Sequence, residues 1–163
     1  EFSMRKGFTM IELIFVIVIL GVLASVAIPR LAATRDDAEV AKAATNLTTA
    51  ISDITAYYTA KGQFSTGAQS NFDKITNALT KAGKLQMKGK DCASITLPTT
   101  PATNTQPNAN DKVEITLKFE GNDQACKTLK GLSGIKQMCG KGTNESINGD
   151  CKIQIGGSGG IQW

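Results

Sequence analysis

The hydrophobic pattern divides the chain into two different materials. From Leu13 to Ile28 sixteen consecutive residues carry no charge, and extended back to Phe8 the run reaches twenty-one, with Glu12 its only charged side chain. A bilayer is crossed by ~20 apolar residues in a helix, so this run is long enough to span one. Beyond Pro29 the pattern changes. From Arg30 to Lys61 there is no further proline and no glycine, and alanine, the best helix former, is abundant. Val40, Ala44, Leu47, Ile51, Ile54 and Tyr58 recur at steps of three and four, an apolar stripe on one helix face. Asp37, Lys42, Thr45, Thr49, Ser52 and Asp53 fall on the other faces. The spacing predicts one helix from about Thr9 to Lys61, roughly 80 Å long at 1.5 Å per residue, with Gly62 as its C-cap. Its first half requires lipid or protein all round it. Its second half requires a globular layer on one side.

Past Gly62 the signals are shorter. Ser70-Asn71-Phe72-Asp73 has the form of a capping box with Asp in place of Glu or Gln, and predicts a short helix through Ala82, with Phe72, Ile75, Ala78, Leu79 and Ala82 inward and Gly83 closing it. Ser94–Leu97 is a weak strand candidate. Pro98 to Asp111 holds three prolines among many Thr and Asn residues and reads as a long exposed loop. Lys112–Glu120 is the strongest strand: Val113, Ile115, Leu117 and Phe119 alternate with Glu114, Thr116, Lys118 and Glu120. Asp123–Lys130 is expected to be a short helix capped by Asn122 and closed at Gly131. Cys151–Ile155 alternates again, before a glycine-serine run at residues 156–160 and a terminal Trp163. One-sided strands beside a one-sided helix imply an α+β fold, a long N-terminal helix packed through its second half on a small antiparallel sheet.

Composition sharpens this picture mainly by exclusion. There is no histidine, so histidine-based acid–base catalysis and mixed cysteine–histidine zinc sites are ruled out. No carboxylate pair, activated serine or lysine constellation suggests an enzyme, and no cofactor is expected. Net charge is +4. Without residues 1–7 it is +3, sixteen cations against thirteen acids. This is too mild, and too poor in basic runs interleaved with aromatics, to indicate specific nucleic-acid binding. Cys92, Cys126, Cys139 and Cys151 all lie in the polar part and form no C-x-x-C pair. They read as two disulfides in an oxidising compartment. Three connectivities are open; Cys92–Cys126 with Cys139–Cys151 closes the shortest loops and is the one the spacing leans towards. The triplets Asn46-Leu47-Thr48 and Asn144-Glu145-Ser146 match a glycosylation pattern frequent enough by chance to be discounted.

The run Arg5-Lys6-Gly7-Phe8-Thr9-Met10-Ile11-Glu12-Leu13 carries the most specific signal. Two cations and a glycine precede an apolar helix that holds one carboxylate, which insertion scales penalise by roughly 2.5–3.5 kcal/mol at a helix centre. This run, with the helix to Arg30, resembles the N-terminus of type IV prepilins and of the pseudopilins of type II secretion, with the leader uncleaved. The resemblance fades after about Lys61. It implies cleavage by a prepilin peptidase between Gly7 and Phe8, N-methylation of Phe8, and a role for Glu12 as the assembly glutamate. It also implies that Gly21 and Pro29 bracket a stretch that loses helicity in assembled filaments. The division that follows is a leader at residues 1–7, a membrane and filament-core helix at 8–34, and a globular head at 35–163. Glu1–Ser3 precede a candidate initiator, Met4, and are read as a leader extension or an appended remnant.

An ordinary signal peptide competes for the N-terminus, with Ala24-Ser25-Val26-Ala27 as its cleavage site. Glu12 interrupts its apolar core, however, and the helical pattern continues past Arg30. The resemblance implies a major structural subunit of a type IV pilus, inserted in the inner membrane, with its head periplasmic, and later part of an extracellular filament. Its partners are then copies of itself, the peptidase, the membrane and the pilus assembly machinery. Adhesion, twitching motility and DNA uptake share this sequence grammar. A pseudopilin is the alternative within the fold. Such chains carry a Tyr-Pro-Thr-like segment where this one has Gly62-Gln63-Phe64-Ser65, and they commonly lack a cysteine framework. A membrane-anchored binding domain that never polymerises is the alternative from another class, and it has no use for the Gly7-Phe8 motif or for Glu12.

Overall fold

A computed structural model of the chain describes residue 7 and residues 9–98 and 112–157. The expected loop from Pro98 to Asp111 therefore falls almost wholly outside the described residues, as do Phe8 and the stretch from 158 to 163. The element order is α1 (Met10–Lys61), β1 (Lys84–Met87), β2 (Lys90–Thr96), β3 (Val113–Phe119), α2 (Gln124–Gly131), α3 (Ser133–Met138) and β4 (Cys151–Gly156). The chain forms two compact units, one ending at Asp37 and one beginning at Ala38. Helix α1 contributes to both.

In the second unit, α1 lies against an antiparallel sheet of order β1-β2-β3-β4, so each strand pairs with its neighbour in sequence. Its buried residues are Val40, Ala43, Leu47, Ala50 and Ile54. The expected stripe is thus present but turned by part of a step: Ala44, Ile51 and Tyr58 flank it, half-buried, and two alanines sit at its centre. Opposite them, Leu85, Ala93, Ile95, Ile115, Leu117, Cys151 and Ile155 belong to the same core. In β3 the alternation read from the sequence is realised, with Ile115 and Leu117 fully buried and Lys118 exposed. Gly62 ends α1 with φ of +71°, and its N–H bonds to the Tyr58 carbonyl at 2.7 Å. This is the left-handed cap that glycine permits.

The helix expected between Ser70 and Ala82 does not form. The segment instead holds two 3₁₀ turns, Ala68–Ser70 and Phe72–Lys74. Phe72 N–H donates to the Lys81 carbonyl, a pairing that brings together residues which a helix would hold some 13 Å apart at 1.5 Å per residue. Tertiary contacts override the local signal. Phe72 is fully buried, and the buried Thr76 hydroxyl donates to the Asp53 carboxylate of α1 at 2.7 Å. Gly83 (φ +76°) lies so close to the Phe72 ring and the Ile95 carbonyl that a β-carbon there would clash with both. Gln69 completes the segment's anchoring. Its amide donates to the Ile95 carbonyl at 2.9 Å and accepts from Leu97 N–H at 2.8 Å, continuing the ladder on β2 past the point where β1 ends.

Strand β1 and helix α3 have no counterpart in the sequence reading, and β2 is longer than the Ser94–Leu97 candidate. The β1–β2 hairpin turns at Lys88 (φ +52°) and Gly89 (φ +76°), consecutive left-handed residues of the kind a tight hairpin requires. Helix α2 begins one residue later than expected, after Asp123 rather than Asn122. Along α1 the hydroxyls of Thr34, Thr45, Thr48, Thr55 and Thr59 each donate to the carbonyl four residues back, at 2.7–2.9 Å.

Candidate functional site

The N-terminal end of α1 is built by a reciprocal cap. Thr9 N–H donates to Glu12 Oε2 at 3.0 Å, and Glu12 N–H donates to Thr9 Oγ1 at 3.3 Å. Thr9-Met10-Ile11-Glu12 is therefore a capping box, satisfying two of the backbone donors that a helix start leaves unpaired. Thr9 is the capping residue that the sequence reading missed, although the Thr-x-x-Glu spacing announces it. No cation lies within the sixteen residues that follow Glu12, but the carboxylate does have a partner behind it. Its charge also stands at the positive end of the helix dipole, where a carboxylate is stabilised. One carboxylate oxygen takes up the cap, and among the described residues nothing donates to Oε1.

Beyond this cap, no residue from Thr9 to Ala38 is buried. Ile11 is 79% exposed and Phe15 65%. A contiguous apolar surface of this extent marks a membrane or protein contact, and α1 is long and apolar enough to cross a membrane. Gly7 lies just outside the helix with open space around its α-carbon. Gly21 and Pro29 both lie within α1, which is continuous through them. Pro29 has no N–H to give the Ser25 carbonyl, and proline and glycine inside a helix cost about 3 and about 1 kcal/mol relative to alanine. The stretch between them is the weakest part of the helix by sequence, although helical here. Ser25 turns its hydroxyl back to the Val22 carbonyl at 2.7 Å.

The four cysteines pair as Cys92–Cys126 and Cys139–Cys151. The first ties β2 to α2. Gly121 passes so close to it that a β-carbon would lie 2.9 Å from Cys126 Sγ and 3.0 Å from Cys92 Cα. The second joins the end of α3 to the start of β4. Among the described residues, no group of three or more histidine, cysteine, aspartate or glutamate side chains could hold a metal ion.

The chain matches the family model of the prokaryotic N-terminal methylation motif over residues 2–28. That span contains Gly7, Phe8, Thr9, Glu12 and Gly21, so the capped helix start lies inside the matched motif. No match was found among curated proteins or among solved structures. The motif is that of the type IV leader and supports a type IV pilin-like or pseudopilin protein. It implies processing by a prepilin peptidase and points to a structural rather than an enzymatic role. The apolar helix suits membrane anchoring.

Proposed function

We propose that this chain is the major structural subunit of a type IV pilus, cleaved after Gly7, N-methylated on Phe8 and polymerised through the apolar half of α1. The observation that carries the reading is the exposed apolar stretch of α1 up to Ile28, whose only charge, Glu12, stands in the capped first turn within the methylation motif. In the membrane this surface is covered by lipid. In a filament it would be covered by the same helix of neighbouring subunits, gaining roughly 25 cal/mol per Å² relative to water. A charge carried into such a core needs a partner. Glu12 Oε1 would accept the methylated ammonium of Phe8 from a neighbouring subunit, neutralising both charges and setting axial register. Gly21 and Pro29 would let the intervening turns unwind as the helices pack. The cysteine framework favours a pilus over a pseudopilus.

The test separates the charge of Glu12 from its cap. In the native host, mass spectrometry of wild-type protein should find methyl-Phe8 as the N-terminus. Glu12→Gln keeps an oxygen for Thr9 N–H but removes the charge; Glu12→Ala removes both; Thr9→Val removes the hydroxyl and leaves the charge. All three should be cleaved and inserted. Sheared filaments should be lost in both Glu12 variants and retained, at reduced yield, in Thr9→Val. Abundant filaments from Glu12→Gln alone would overturn the pairing. A wild-type chain that stays in the envelope except on overexpression would favour the pseudopilin.

A further inference from the structure

Between Gln124 and Asn144 the chain carries four lysines and no acid. Three of them, Lys127 and Lys130 on α2 and Lys136 on α3, line one cleft of about 280 Å³ together with Ser146, Ile147 and Asn148. Lys127 and Lys130 are three positions apart and so share a helix face. The extended residue Leu132 breaks the chain between α2 and α3, which brings Lys136 to the same cleft. The opposite wall is fixed in several ways. Ile147 is buried, Cys139–Cys151 closes the segment, Glu145 accepts the Gly142 N–H, and Lys136 Nζ reaches the Thr143 carbonyl at 3.0 Å.

Four other lysines of the head have acids beside them: Lys84 with Asp91, Lys90 with Asp123, Lys81 with Asp73, Lys118 with Glu120. Among the described residues none of the three cleft lysines has a carboxylate partner. Like charges gathered in a concave site raise its positive potential and draw anions to it. Lysine binds phosphate as a point charge with three rotatable donors. No aromatic side chain lines the cleft, so the stacking platform that single-stranded nucleic acids use is missing. Ser146 and Asn148 instead offer a hydroxyl and an amide, which pair with hydroxyl groups. The cleft is open to solvent on one side, so a sugar ring attached to a bound phosphate can extend out of it.

We propose that this cleft binds a phosphate group carried on a hydroxyl-rich body, that is, a phosphorylated sugar. The phosphate lies among Lys127, Lys130 and Lys136, and the sugar hydroxyls lie on Ser146 and Asn148. The site is on the head and is independent of whether the chain polymerises.

The test uses the full chain, isotopically labelled, in zwitterionic detergent at constant ionic strength. Amide shifts are followed by NMR during addition of glucose 6-phosphate, inorganic phosphate or glucose. Glucose 6-phosphate should give saturable shifts confined to residues 127–148, tighter than inorganic phosphate, and glucose should give none. Lys127→Gln and Lys130→Gln should each weaken binding about tenfold, the scale of one charged hydrogen bond, with the rest of the spectrum unchanged. Lys118→Gln, on β3, should have no effect. A phosphorylated mannan that competes for the site, where its dephosphorylated form does not, would identify a polymer as the source. Competition by the free sugar phosphate alone would identify a small ligand. Shifts spread over all lysines, binding unchanged in Lys127→Gln/Lys130→Gln, or a response to duplex DNA but not to the sugar phosphate would each overturn the proposal.

Discussion

Removing one disulfide at a time should destabilise the head unequally, and the order follows from loop length. Cys92–Cys126 spans 34 residues and Cys139–Cys151 spans 12. If the bonds act by restricting the unfolded chain, they contribute about 3.8 and about 2.8 kcal/mol respectively at 25 °C. Packing widens the gap. Cys92 and Cys126 are both buried, with Gly121 against them, so Cys92→Ala/Cys126→Ala also leaves unfilled space. Cys139 is half-buried, so Cys139→Ala/Cys151→Ala loses less. With a urea dependence of about 2 kcal/mol per M, the midpoints should fall by about 1.9 M and about 1.4 M. The assay is urea unfolding of the full chain in non-ionic detergent, followed by circular dichroism and run beside the unreduced wild type. Against a typical total of about 5–15 kcal/mol, either loss is severe but measurable. A larger fall for Cys139→Ala/Cys151→Ala, or losses under about 1 kcal/mol in both variants, would refute the argument.

Two further outcomes come from packing and charge. A β-carbon at Gly156 would fall well inside contact distance of the Tyr58 ring, so Gly156→Ala should cost about 1–3 kcal/mol in the same urea assay. Adding Tyr58→Ala should cost less than the sum of the two single losses, and strict additivity would count against the contact. The Asp91 carboxyl is held below its ordinary value by hydrogen bonds first from Gln86 and then from Lys84. The stability it contributes is therefore fully present above about pH 4 and is lost as pH falls through its lowered folded value. Asp91→Asn should flatten the acid limb of a melting-temperature profile below about pH 4 and leave the neutral region parallel to wild type. An unchanged acid limb would show that the pair is solvated away.

What could be read from the sequence followed the length and periodicity of each signal. Helix α1 gives fifty-two residues of agreement because apolar spacing, alanine content and Gly62 all point the same way. Strand β3 alternates over its whole length. Strand β1, four residues that start with a lysine and are followed by another, offers only Leu85 and Met87, too little to distinguish from a loop; its signal was the turn at Lys88-Gly89. The segment after Ser70 misled because its local capping pattern was outweighed by long-range partners, Asp53 for Thr76 and Lys81 for Phe72. At the site, the charge pattern revealed Glu12. Thr9 carries a weaker signal, a Thr-x-x-Glu spacing inside a run whose lone charge dominates. The cleft lysines were hidden by a net charge that averages them with distant acids.

The threonines of α1 alter what it means for this helix to be polar. By residue type, the face carrying Thr45, Thr48 and Thr59 is hydrophilic and exposed. Each of these hydroxyl protons is nevertheless already donated to a carbonyl of the same helix, so it makes no demand on water when that face is covered. Covering Thr45, Thr48 and Thr59 therefore strands none of their hydroxyl donors, and each also presents a methyl group to a neighbour. Covering these three residues costs less than their polar type suggests.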